Sequence, residues 1–497
     1  MRTSYESSVR ELQRAVSKPP ETEKSVKFAA YTDERRRYWT DFARTLPRWE
    51  KSRAGYQQRL VEIYSFLIPA GMRVLEVGCG RGDLLAALKP SYGVGVDFCP
   101  AMLDLGRERH PDLSFVEQDA HSLDLGETFD YIICTDLVND LWDIQHVMER
   151  ITRHCHPGTR VIMNAYSRLW EIPRRIAEAA GIAKRLLTQN WVVVEDLSNL
   201  LYLSNLEVIR HTQEILWPFW APGLKTLANR YLVKLTPFRW LAMSNLLIAR
   251  PKAAPAWREP VVTVVVPARN EEGNIPQIID RVPQMGGGTE LIFVEGNSTD
   301  DTWGAIQREL ALRPGVLAKA FKQSGKGKGD AVRKGFEEAT GEVLMILDAD
   351  LTVAPEDLPR FYEAWHSGHA EFVNGVRLVY PMEDRAMRFF NHLGNKFFSL
   401  AFSWLFGQNI KDSLCGTKVL SKQHYRIIAA NRSYFGEIDP FGDFDLLFGA
   451  AKYNLKIVDL PVRYQERVWG ETNIRRWTHG MLLLRMIVKA TKKLKFV

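Results

Sequence analysis

The stretch LMILDADLTVAPEDL (344–358) sets the expectations for the fold of the chain. Its apolar run ends in two acidic residues one position apart, Asp348 and Asp350. A short apolar run bounded by turn residues is typical of a buried strand. Two carboxylates at the end of such a strand repel each other unless a cation lies between or beside them. Mg²⁺ or Mn²⁺ bound with substrate phosphates would suit these oxygen ligands, whereas the plainer alternative is a surface pair in which Asp350 caps the helix near APEDL.

Similar apolar runs recur on both sides of this stretch and alternate with helical patterns. In the C-terminal half they include VVTVVVPARN (261–270), ELIFVEGNS (290–298) and FVNGVRLVY (372–380), and in the N-terminal half they extend over residues 72–165. The strand–helix alternation over 72–165 predicts a parallel, doubly wound sheet, and the restart of the alternation after residue 260 predicts a second α/β domain. The intervening residues 166–250 are helix-rich and aromatic. We therefore expect two α/β domains in series.

A proline-rich stretch separates the two halves. RPKAAPAWREP (250–260) combines prolines with small residues, as linkers do. The predicted organisation is a helical extension over 1–55, a first domain over 56–250, a linker over 251–260, a second domain over 261–473 and a basic amphipathic helix over 474–497.

Composition and charge limit the number of domains, the compartment and the partners that we expect for the chain. A chain of 497 residues is too long to form a single hydrophobic core, so two or three domains are expected. No apolar run in it is long enough to span a membrane. A polar start without the centre of a secretory signal, together with five scattered cysteines, predicts a cytoplasmic chain with reduced thiols. The net charge of +7 is concentrated at the ends without a nucleic-acid-binding motif, so nucleic acid is not an expected partner. The basic C-terminal helix can lie on an anionic membrane surface or pack on its own domain.

VLEVGCGRG (74–82) marks the candidate site of the first half. A strand leads into a turn with glycines at 78, 80 and 82, where backbone can approach a ligand closely. The next strand ends in Asp97, whose carboxylate can accept ribose hydroxyls, and a third run ends near Asp119. The dinucleotide fingerprint G-x-G-x-x-G is absent, because Gly82 follows Gly80 by two residues rather than three.

These motifs, in this order, resemble the class I S-adenosylmethionine-dependent methyltransferases over roughly residues 60–250. The resemblance implies a Rossmann-like seven-stranded methyltransferase fold and S-adenosylmethionine as a cofactor. The implied cofactor-binding residues are Glu76, Gly78, Gly80, Gly82, Asp97, Asp119, Ala120 and Asp136. The sequence leaves the methyl acceptor open, with an oxygen of a sugar or another small molecule favoured.

Three further stretches accompany the acidic pair in the second half: PARNEEGN (267–274), VEGNSTDDT (294–302) and SGKGKGDAVRKG (324–335). The last of these predicts a basic, glycine-rich helix entry that favours anions. It lacks the Ser or Thr of a P-loop after either lysine, which excludes a P-loop nucleotide triphosphatase.

With DSLCGTKVL (412–420), these motifs resemble the family 2 glycosyltransferases of GT-A fold, closest to the dolichyl- or polyprenyl-phosphate sugar synthases, over roughly residues 261–470. The resemblance implies a UDP- or GDP-linked sugar donor and inversion at the anomeric carbon. The implied donor-binding residues are Pro267, Arg269, Asn270, Glu271, Glu295, Asn297, Ser298, Lys328, Asp348 and Asp350, of which the last two also hold Mg²⁺ or Mn²⁺. Where the family usually has Asp-Asp-Gly-Ser, this chain has Glu-Gly-Asn-Ser at 295–298, which leaves base selectivity open.

The expected acceptor is a lipid phosphate or a glycan hydroxyl. A lipid phosphate is already ionised and needs basic side chains to position it, for which the candidates are Arg377, Arg388, Lys418 and Arg467. A hydroxyl needs a base, and the candidate catalytic residues are Asp443, Asp445 and Asp350. The apolar stretch 388–408 is interpreted as an interfacial element for a lipid chain, a buried helix or a contact with a second copy of the chain.

The combined prediction is a bifunctional enzyme that transfers a sugar and a methyl group in cell-surface glycan or glycolipid synthesis, in the cytoplasm or at the inner face of the membrane. One alternative transfers the sugar to a soluble hydroxyl acceptor that the methyltransferase then modifies. Another is a chain in which one half has lost activity and serves as a binding scaffold.

Overall fold

A computed structural model of the chain describes residues 23–181, 183–219, 221, 223–253, 258–380, 389–434, 442–467, 469 and 476–497. Two seven-stranded sheets follow one another along the chain, one in each half. Helices flank both sheets and form the two described ends. The predicted architecture of two α/β domains in series is confirmed.

The first sheet is built from strands whose central residues are almost fully buried. Its strands are β1 Arg73–Val77, β2 Tyr92–Asp97, β3 Ser114–Glu117, β4 Phe129–Cys134, β5 Cys155–Tyr166, β6 Leu206–Glu214 and β7 Ser244–Pro251. They lie in the order β3-β2-β1-β4-β5-β7-β6, with β1 to β5 parallel. Because β7 is antiparallel to both β5 and β6, the sheet is mixed.

Six helices of the described part of the chain accompany this sheet. They are α1 Glu23–Leu67, α2 Asp83–Ala87, α3 Pro100–Arg109, α4 Ile144–Thr152, α5 Glu171–Ala179 and α6 Val194–Leu203. Between β6 and β7 the chain forms short helical turns at Leu224–Thr226, Leu227–Tyr231 and Phe238–Leu241.

Helix α1 is a single helix of 45 residues, and the predicted border between residues 55 and 56 falls inside it. Its second half buries Tyr56, Leu60 and Tyr64 in the core on one side of the first sheet. Its first half packs Phe42 against the start of α3 through Met102. The helix is therefore part of the first domain rather than a separate extension.

The second sheet comprises β8 Val262–Ala268, β9 Thr289–Glu295, β10 Ala318–Lys322, β11 Val343–Ile346, β12 Phe372–Val376, β13 Lys418–Ser421 and β14 Ile457–Pro461. Their order is β10-β9-β8-β11-β13-β12-β14, and β13 is antiparallel to both of its neighbours. The helices are α7 Ile275–Arg281, α8 Thr302–Leu312, α9 Lys328–Glu338, α10 Leu358–His366, α11 Phe389–Phe406, α12 Lys422–Ala430, α13 Asp443–Lys452 and α14 Arg476–Ala490.

The strands of residues 72–165 are parallel, as predicted, whereas one expectation about the first domain was wrong. Residues 166–250, expected to be helix-rich, contribute the long strands β6 and β7. These two strands pair with each other, so each gains its hydrogen bonds from a partner distant in sequence rather than from local preference.

A buried ion cluster joins the two domains. Arg160 of β5 donates to both carboxylate oxygens of Glu371 at 2.8 Å, and Arg250 of β7 approaches the same carboxylate at 3.6 Å. Arg160 also donates through Nε to the Asn454 carbonyl at 3.0 Å, and Arg250 to the Gly368 carbonyl at 2.6 Å. All three charged side chains are buried, so the contact fixes one domain against the other.

Across the described ranges, no helix combines the length and the apolar content that crossing a bilayer would need.

Removing the shared carboxylate tests this contact. Glu371→Ala leaves the buried guanidinium of Arg160 without its counter-charge and leaves Arg250 with Glu207 as its remaining acidic partner. We expect the free energy of unfolding to fall by about 3–5 kcal/mol. Urea denaturation measures the change. The control is Glu356→Ala, which breaks the exposed pair with Arg281 and should cost less than about 1 kcal/mol. Equal losses for the two variants would contradict the proposed role of the buried cluster.

Candidate active sites

The first candidate site lies at the carboxyl ends of β1, β2 and β4. Gly78, Gly80 and Gly82 follow β1 and all have left-handed backbone, with φ of 75°, 54° and 72°. A Cβ at 78 would meet Leu137 at 2.9 Å and one at 82 would meet the Phe115 ring at 2.8 Å, whereas one at 80 has no atom within 4 Å. The turn is therefore packed on both flanks and leaves open space beside Gly80.

Two acids border this open space. Glu76 is buried, and its Oε2 has no hydrogen-bond partner among the described residues. Burial raises the pKa of Glu76 to about 8. Asp97 accepts hydrogen bonds from the backbone N–H groups of Gly80 at 2.8 Å and Cys99 at 2.9 Å, and burial raises its pKa to about 6. An orphan carboxylate oxygen next to an open glycine turn fits a ligand with donor or cationic groups.

Asp119 lies at the edge of the same site. Its carboxylate accepts from the backbone N–H of His121 at 2.8 Å and contacts the His121 ring at 2.7 Å, and Ala120 begins that turn. Although burial opposes the effect, the hydrogen bonds from His121 lower the pKa of Asp119. Phe28 of α1 packs edge-on against the His121 ring, with the centroids 5.0 Å apart.

Asp136 forms a polar cluster that the sequence did not predict. Tyr56 of α1 donates to Asp136 Oδ1 at 2.5 Å, and Asn164 of β5 donates to the same oxygen at 2.6 Å. Tyr64 in turn donates to Asn164 Oδ1 at 3.0 Å. Asp136 has left-handed backbone, with φ of 56°, which turns its side chain towards this cluster, and burial raises its pKa.

Helix α1 covers this edge of the sheet along most of its length. Arg35 donates to Asp140 Oδ1 at 2.8 Å and Trp39 to Asp140 Oδ2 at 3.0 Å. Together with the contacts of Phe28 and Tyr56, these bonds place α1 over the ends of three strands. The helix therefore forms one wall of the first site.

The second candidate site lies where β11 ends. Asp348 pairs with Lys328 at 2.6 Å, and Asp350 pairs with Arg467 at 2.6 Å. Arg467 also approaches Glu271 at 3.3 Å, and burial raises the pKa of Glu271 to about 7. Each member of the acidic pair thus has its own cationic neighbour, which answers how the two carboxylates can lie so close together.

Two neighbouring loops complete this edge. Asn270 and Asn297 both have left-handed backbone, and the N–H of Asn270 donates to Ser298 Oγ at 3.1 Å. Glu295 accepts from the N–H of Ser298 at 2.5 Å. Pro267 lies at the end of β8, and Arg269 is exposed beside the loop. The predicted donor-binding residues therefore lie together at the carboxyl ends of β8, β9 and β11.

Other predicted residues lie elsewhere or have other partners. Arg377 is buried against Asp412, with bonds of 2.7 and 2.9 Å, and Lys418 is buried and donates to Asn374 at 2.8 Å. Asp445 pairs with Arg432 at 2.6 Å in a small cavity that Lys452 also lines. The side chains of two further predicted residues, Asp443 and Arg388, lie outside the described residues.

The backbone of α13 nevertheless begins close to the acidic pair. A Cβ at Gly442 would lie 2.6 Å from the Cα of Gly329, the neighbour of Lys328. Likewise, a Cβ at Gly416 would collide with both Asp348 and Lys328. Glycine at these positions lets two loops approach the pair closely.

Comparisons with known proteins agree with the two-part organisation. Residues 74–158 match the methyltransferase domain model, and residues 263–433 match the glycosyl transferase family 2 model.

Similar curated proteins align with the C-terminal half. They include the dolichol-phosphate mannosyltransferase of Pyrococcus furiosus, 28% identical over 43% of this chain and 59% of that protein. The dolichol-phosphate mannosyltransferase of Saccharomyces cerevisiae is 38% identical over 23% of this chain and 44% of the relative. The undecaprenyl-phosphate 4-deoxy-4-formamido-L-arabinose transferase of Edwardsiella ictaluri is 28% identical over 42% of this chain and 62% of the relative. The chain thus spans roughly half to three fifths of the length of these relatives.

Solved structures with similarity to the chain include representatives of both kinds. Glucosyl-3-phosphoglycerate synthase from Mycobacterium tuberculosis, in complex with Mn²⁺, UDP and glucosyl-3-phosphoglycerate, has a TM-score of 0.35 and 18% identity, over 47% of this chain and 80% of that chain. Magnesium protoporphyrin IX methyltransferase from Synechocystis, with bound SAH, has a TM-score of 0.30 and 16% identity, over 41% of this chain and 86% of that chain.

The raised pKa of Glu76 predicts a pH-dependent stability of the ligand-free chain. In the unfolded chain this carboxyl has a pKa of about 4.3. Between that pH and about 8 the folded chain holds a proton on Glu76 that the unfolded chain has lost. This contribution makes stability fall as pH rises from about 5 to about 8. Glu76→Gln cannot titrate, and its urea-unfolding free energy should fall less over the same range. Asp112→Asn, at an exposed position, is the control, and equal pH slopes for all three chains would contradict the assignment.

Proposed function

We propose that this chain, an enzyme with a methyltransferase domain followed by a glycosyltransferase family 2 domain, transfers a sugar from a nucleotide sugar to a polyprenyl-phosphate-type lipid and methylates a small molecule of the same assembly route. The route is cell-surface glycan or glycolipid synthesis. We place the chain in the cytoplasm, at the inner face of a membrane, in keeping with its free thiols.

The observation that carries the glycosyltransferase proposal is the charge arrangement at the end of β11. Two acids and two cations alternate there, with Asp348 against Lys328 and Asp350 against Arg467. A nucleoside diphosphate brings negative charge that these cations can bind. Electrostatic stabilisation of the departing diphosphate is the main catalytic task in such a transfer.

The acidic pair also fits a divalent ion. Carboxylate oxygens are the hard ligands that Mg²⁺ and Mn²⁺ take, with phosphate oxygens and water completing the shell. We propose Asp348 and Asp350 as its protein ligands, because they lie one residue apart at the end of β11. Among the described residues no group of three or more candidate ligands is assembled. When bound, the ion would neutralise charge on the diphosphate. Lys328 and Arg467 would then contact phosphate oxygens of the diphosphate.

A lipid-phosphate acceptor agrees with the names of the relatives that act on dolichol phosphate and undecaprenyl phosphate. An ionised phosphate needs no strong base, and Arg467 is the predicted acceptor residue that lies beside the acidic pair. Arg377 and Lys418 are buried with protein partners, so we assign them a role in shaping the loop around Ser413 and Gly416. A hydroxyl acceptor would instead need a base, for which Asp443 at the start of α13 is the better placed candidate.

For the first domain we propose S-adenosylmethionine binding at the open turn beside Gly80. The orphan oxygen of Glu76 and the open space at Gly80 fit a cofactor with cationic and donor groups. Asp97 is the proposed ribose ligand and Asp119 with Ala120 the proposed adenine edge. Asp136 faces Tyr56 and Asn164, so it fits the methyl-acceptor side of the cofactor better than the cofactor itself.

Replacing Asp350 tests sugar transfer. We expect Asp350→Asn to lower transfer by at least about a hundredfold, because it removes a charged ligand for the ion and diphosphate. Transfer is measured with labelled UDP- and GDP-sugars, a short polyprenyl phosphate and Mn²⁺. Asp357→Asn, in the same connection but paired with Arg360, is the matched control. Equal product from Asp350→Asn would refute the metal assignment, and transfer to free sugars alone would favour the soluble acceptor.

A bulky side chain at residue 80 tests the cofactor site. Calorimetry with S-adenosylmethionine should detect binding to the unsubstituted chain, and Gly80→Arg should abolish it by filling the open space. Gly126→Arg is the control, since Gly126 also has left-handed backbone, with φ of 67°, and open space around its Cβ. Absence of binding to the unsubstituted chain would refute the methyltransferase assignment.

A further inference from the structure

The exposed apolar side chains of this chain are concentrated in three segments. They lie on α5 with the turns of 224–241, on α11 and on α14, and side chains of this group are 55–70% exposed: Ile172, Ile176, Trp240, Leu400, Met481 and Val488. Scattered apolar residues on a surface need no explanation, but contiguous ones mark a contact surface. We call this set the basic apolar face.

Direct contacts connect the three segments. Trp170, just before α5, donates through Nε1 to the Leu241 carbonyl at 2.8 Å. Trp404 of α11 donates to the Lys234 carbonyl at 2.9 Å, which joins the first domain to the second. Phe496, after α14, packs between Tyr231 and Trp404, with ring centroids at 5.1 and 6.0 Å. The face is therefore continuous across the boundary between the domains.

Helix α14 shows why these side chains are not simply core residues. Leu483, Met486 and Ala490 are buried in the second domain. Met481, Leu484 and Val488 follow the i, i+3, i+7 spacing on another side of the helix and are exposed. One side of the helix therefore packs on its own domain and another is left for a partner.

The charge of these segments is mostly positive. Residues 215–250 contain five Lys or Arg and no Asp or Glu, residues 476–497 contain six and none, and residues 389–411 contain two and none. Helix α5 carries two of each sign, and its Glu178 pairs with Arg174 at 3.2 Å. Exposed cations accompany the apolar side chains in each part, among them Arg175, Arg230, Lys396 and Arg485. Basic, aromatic surfaces with few acids complement the anionic headgroups and apolar interior of a bilayer.

Beneath this face, positive charge also exceeds negative charge. Lys234, Arg210 and Lys495 gather around a single buried acid, Glu214, and Arg210 Nε has no hydrogen-bond partner among the described residues. Burial, with the positive charge of Lys234 and Arg210, lowers the pKa of Lys495 to about 7. An anion bound next to the cluster would offset this excess of positive charge.

We propose that the basic apolar face is a membrane-docking surface for an anionic lipid bilayer, formed jointly by the methyltransferase and glycosyltransferase domains. It deepens the proposed function, because a polyprenyl phosphate resides in a bilayer. The contribution of the first domain is the new element: α5 and the turn at Trp240 lie on the lipid with α11 and α14. Interfacial burial of apolar side chains and attraction of cations to anionic headgroups together supply the binding.

Vesicle sedimentation of the full chain tests the surface without any sugar donor or acceptor. The probes are vesicles of phosphatidylcholine alone and vesicles in which phosphatidylglycerol replaces part of it. The unsubstituted chain should bind the anionic vesicles, and the double variant Ile176→Glu with Trp240→Glu should bind at least about tenfold less tightly. Leu312→Glu, at a position 72% exposed outside the face, is the matched control and should bind normally.

A second variant keeps the test informative if the first disturbs folding. Arg175→Glu with Arg485→Glu leaves the apolar side chains in place and should weaken binding to anionic vesicles selectively. Unaltered vesicle binding by both variants would overturn the proposal, as would no binding by the unsubstituted chain. If Trp240→Glu instead converted a dimer to a monomer with vesicle binding unchanged, the face would be a contact between copies and the proposal would also fall.

Sugar transfer is measured separately, with a short acceptor in solution. Loss of that activity in a chain that still binds vesicles would refute the proposed function and leave the docking surface intact. Normal transfer by a chain that does not bind vesicles would refute the docking surface and leave the proposed function intact.

Discussion

A buried carboxylate, Glu371, is central to the contact between the two domains. Arg160 and Arg250 reach it from adjacent strands of the first sheet, and all three side chains are withdrawn from water. Buried charges are tolerated only where their partners and hydrogen bonds are complete, and here backbone carbonyls of Asn454 and Gly368 complete them. Such a contact is demanding in geometry, so it specifies a single arrangement of the two sheets. The continuity of the apolar segments across the domain boundary depends on that arrangement.

Both active-site edges use the same device, in which acids at strand ends are placed beside groups that offset their charge. In the second domain, Lys328 and Arg467 neutralise Asp348 and Asp350. In the first, Asp97 is held by backbone N–H groups, while Glu76 keeps one buried oxygen without a partner. The pairing of Asp348 and Asp350 with Lys328 and Arg467 suits a ligand that displaces these cations from the carboxylates. The partnerless oxygen of Glu76 suits a ligand that supplies the missing hydrogen-bond donor. The site of the second domain is therefore suited to a negatively charged ligand, and the site of the first to a ligand with cationic or donor groups.

Short segments of the sequence were enough to predict most of the fold and the acidic and glycine-rich parts of both sites. Strand ends, tight turns and the residues at 348 and 350 depend on short segments, so a motif is enough to locate them. What the sequence did not reveal depends on pairing between distant segments. Strands β6 and β7 stabilise each other across the 29 residues that separate them in the sequence, and the aromatic residues in that stretch obscured their alternating patterns. The burial of Arg377 depends on Asp412, and the contact of Tyr56 with Asp136 depends on the path of α1, neither of which a linear motif records.

Helix α1 contains a proline at position 47, near its middle. A proline has no N–H to donate to the carbonyl four residues earlier, so the helix lacks one backbone bond at that turn. The residues after it, such as Leu60 and Tyr64, are anchored in the core of the sheet, whereas those before it are anchored by Phe42 on α3 and by the contacts with His121 and Asp140. The turn at Pro47 therefore lies between two separately anchored parts of α1 and is where the fewest backbone bonds oppose bending. Bending at this turn would move a wall of the first site without disturbing the sheet below it.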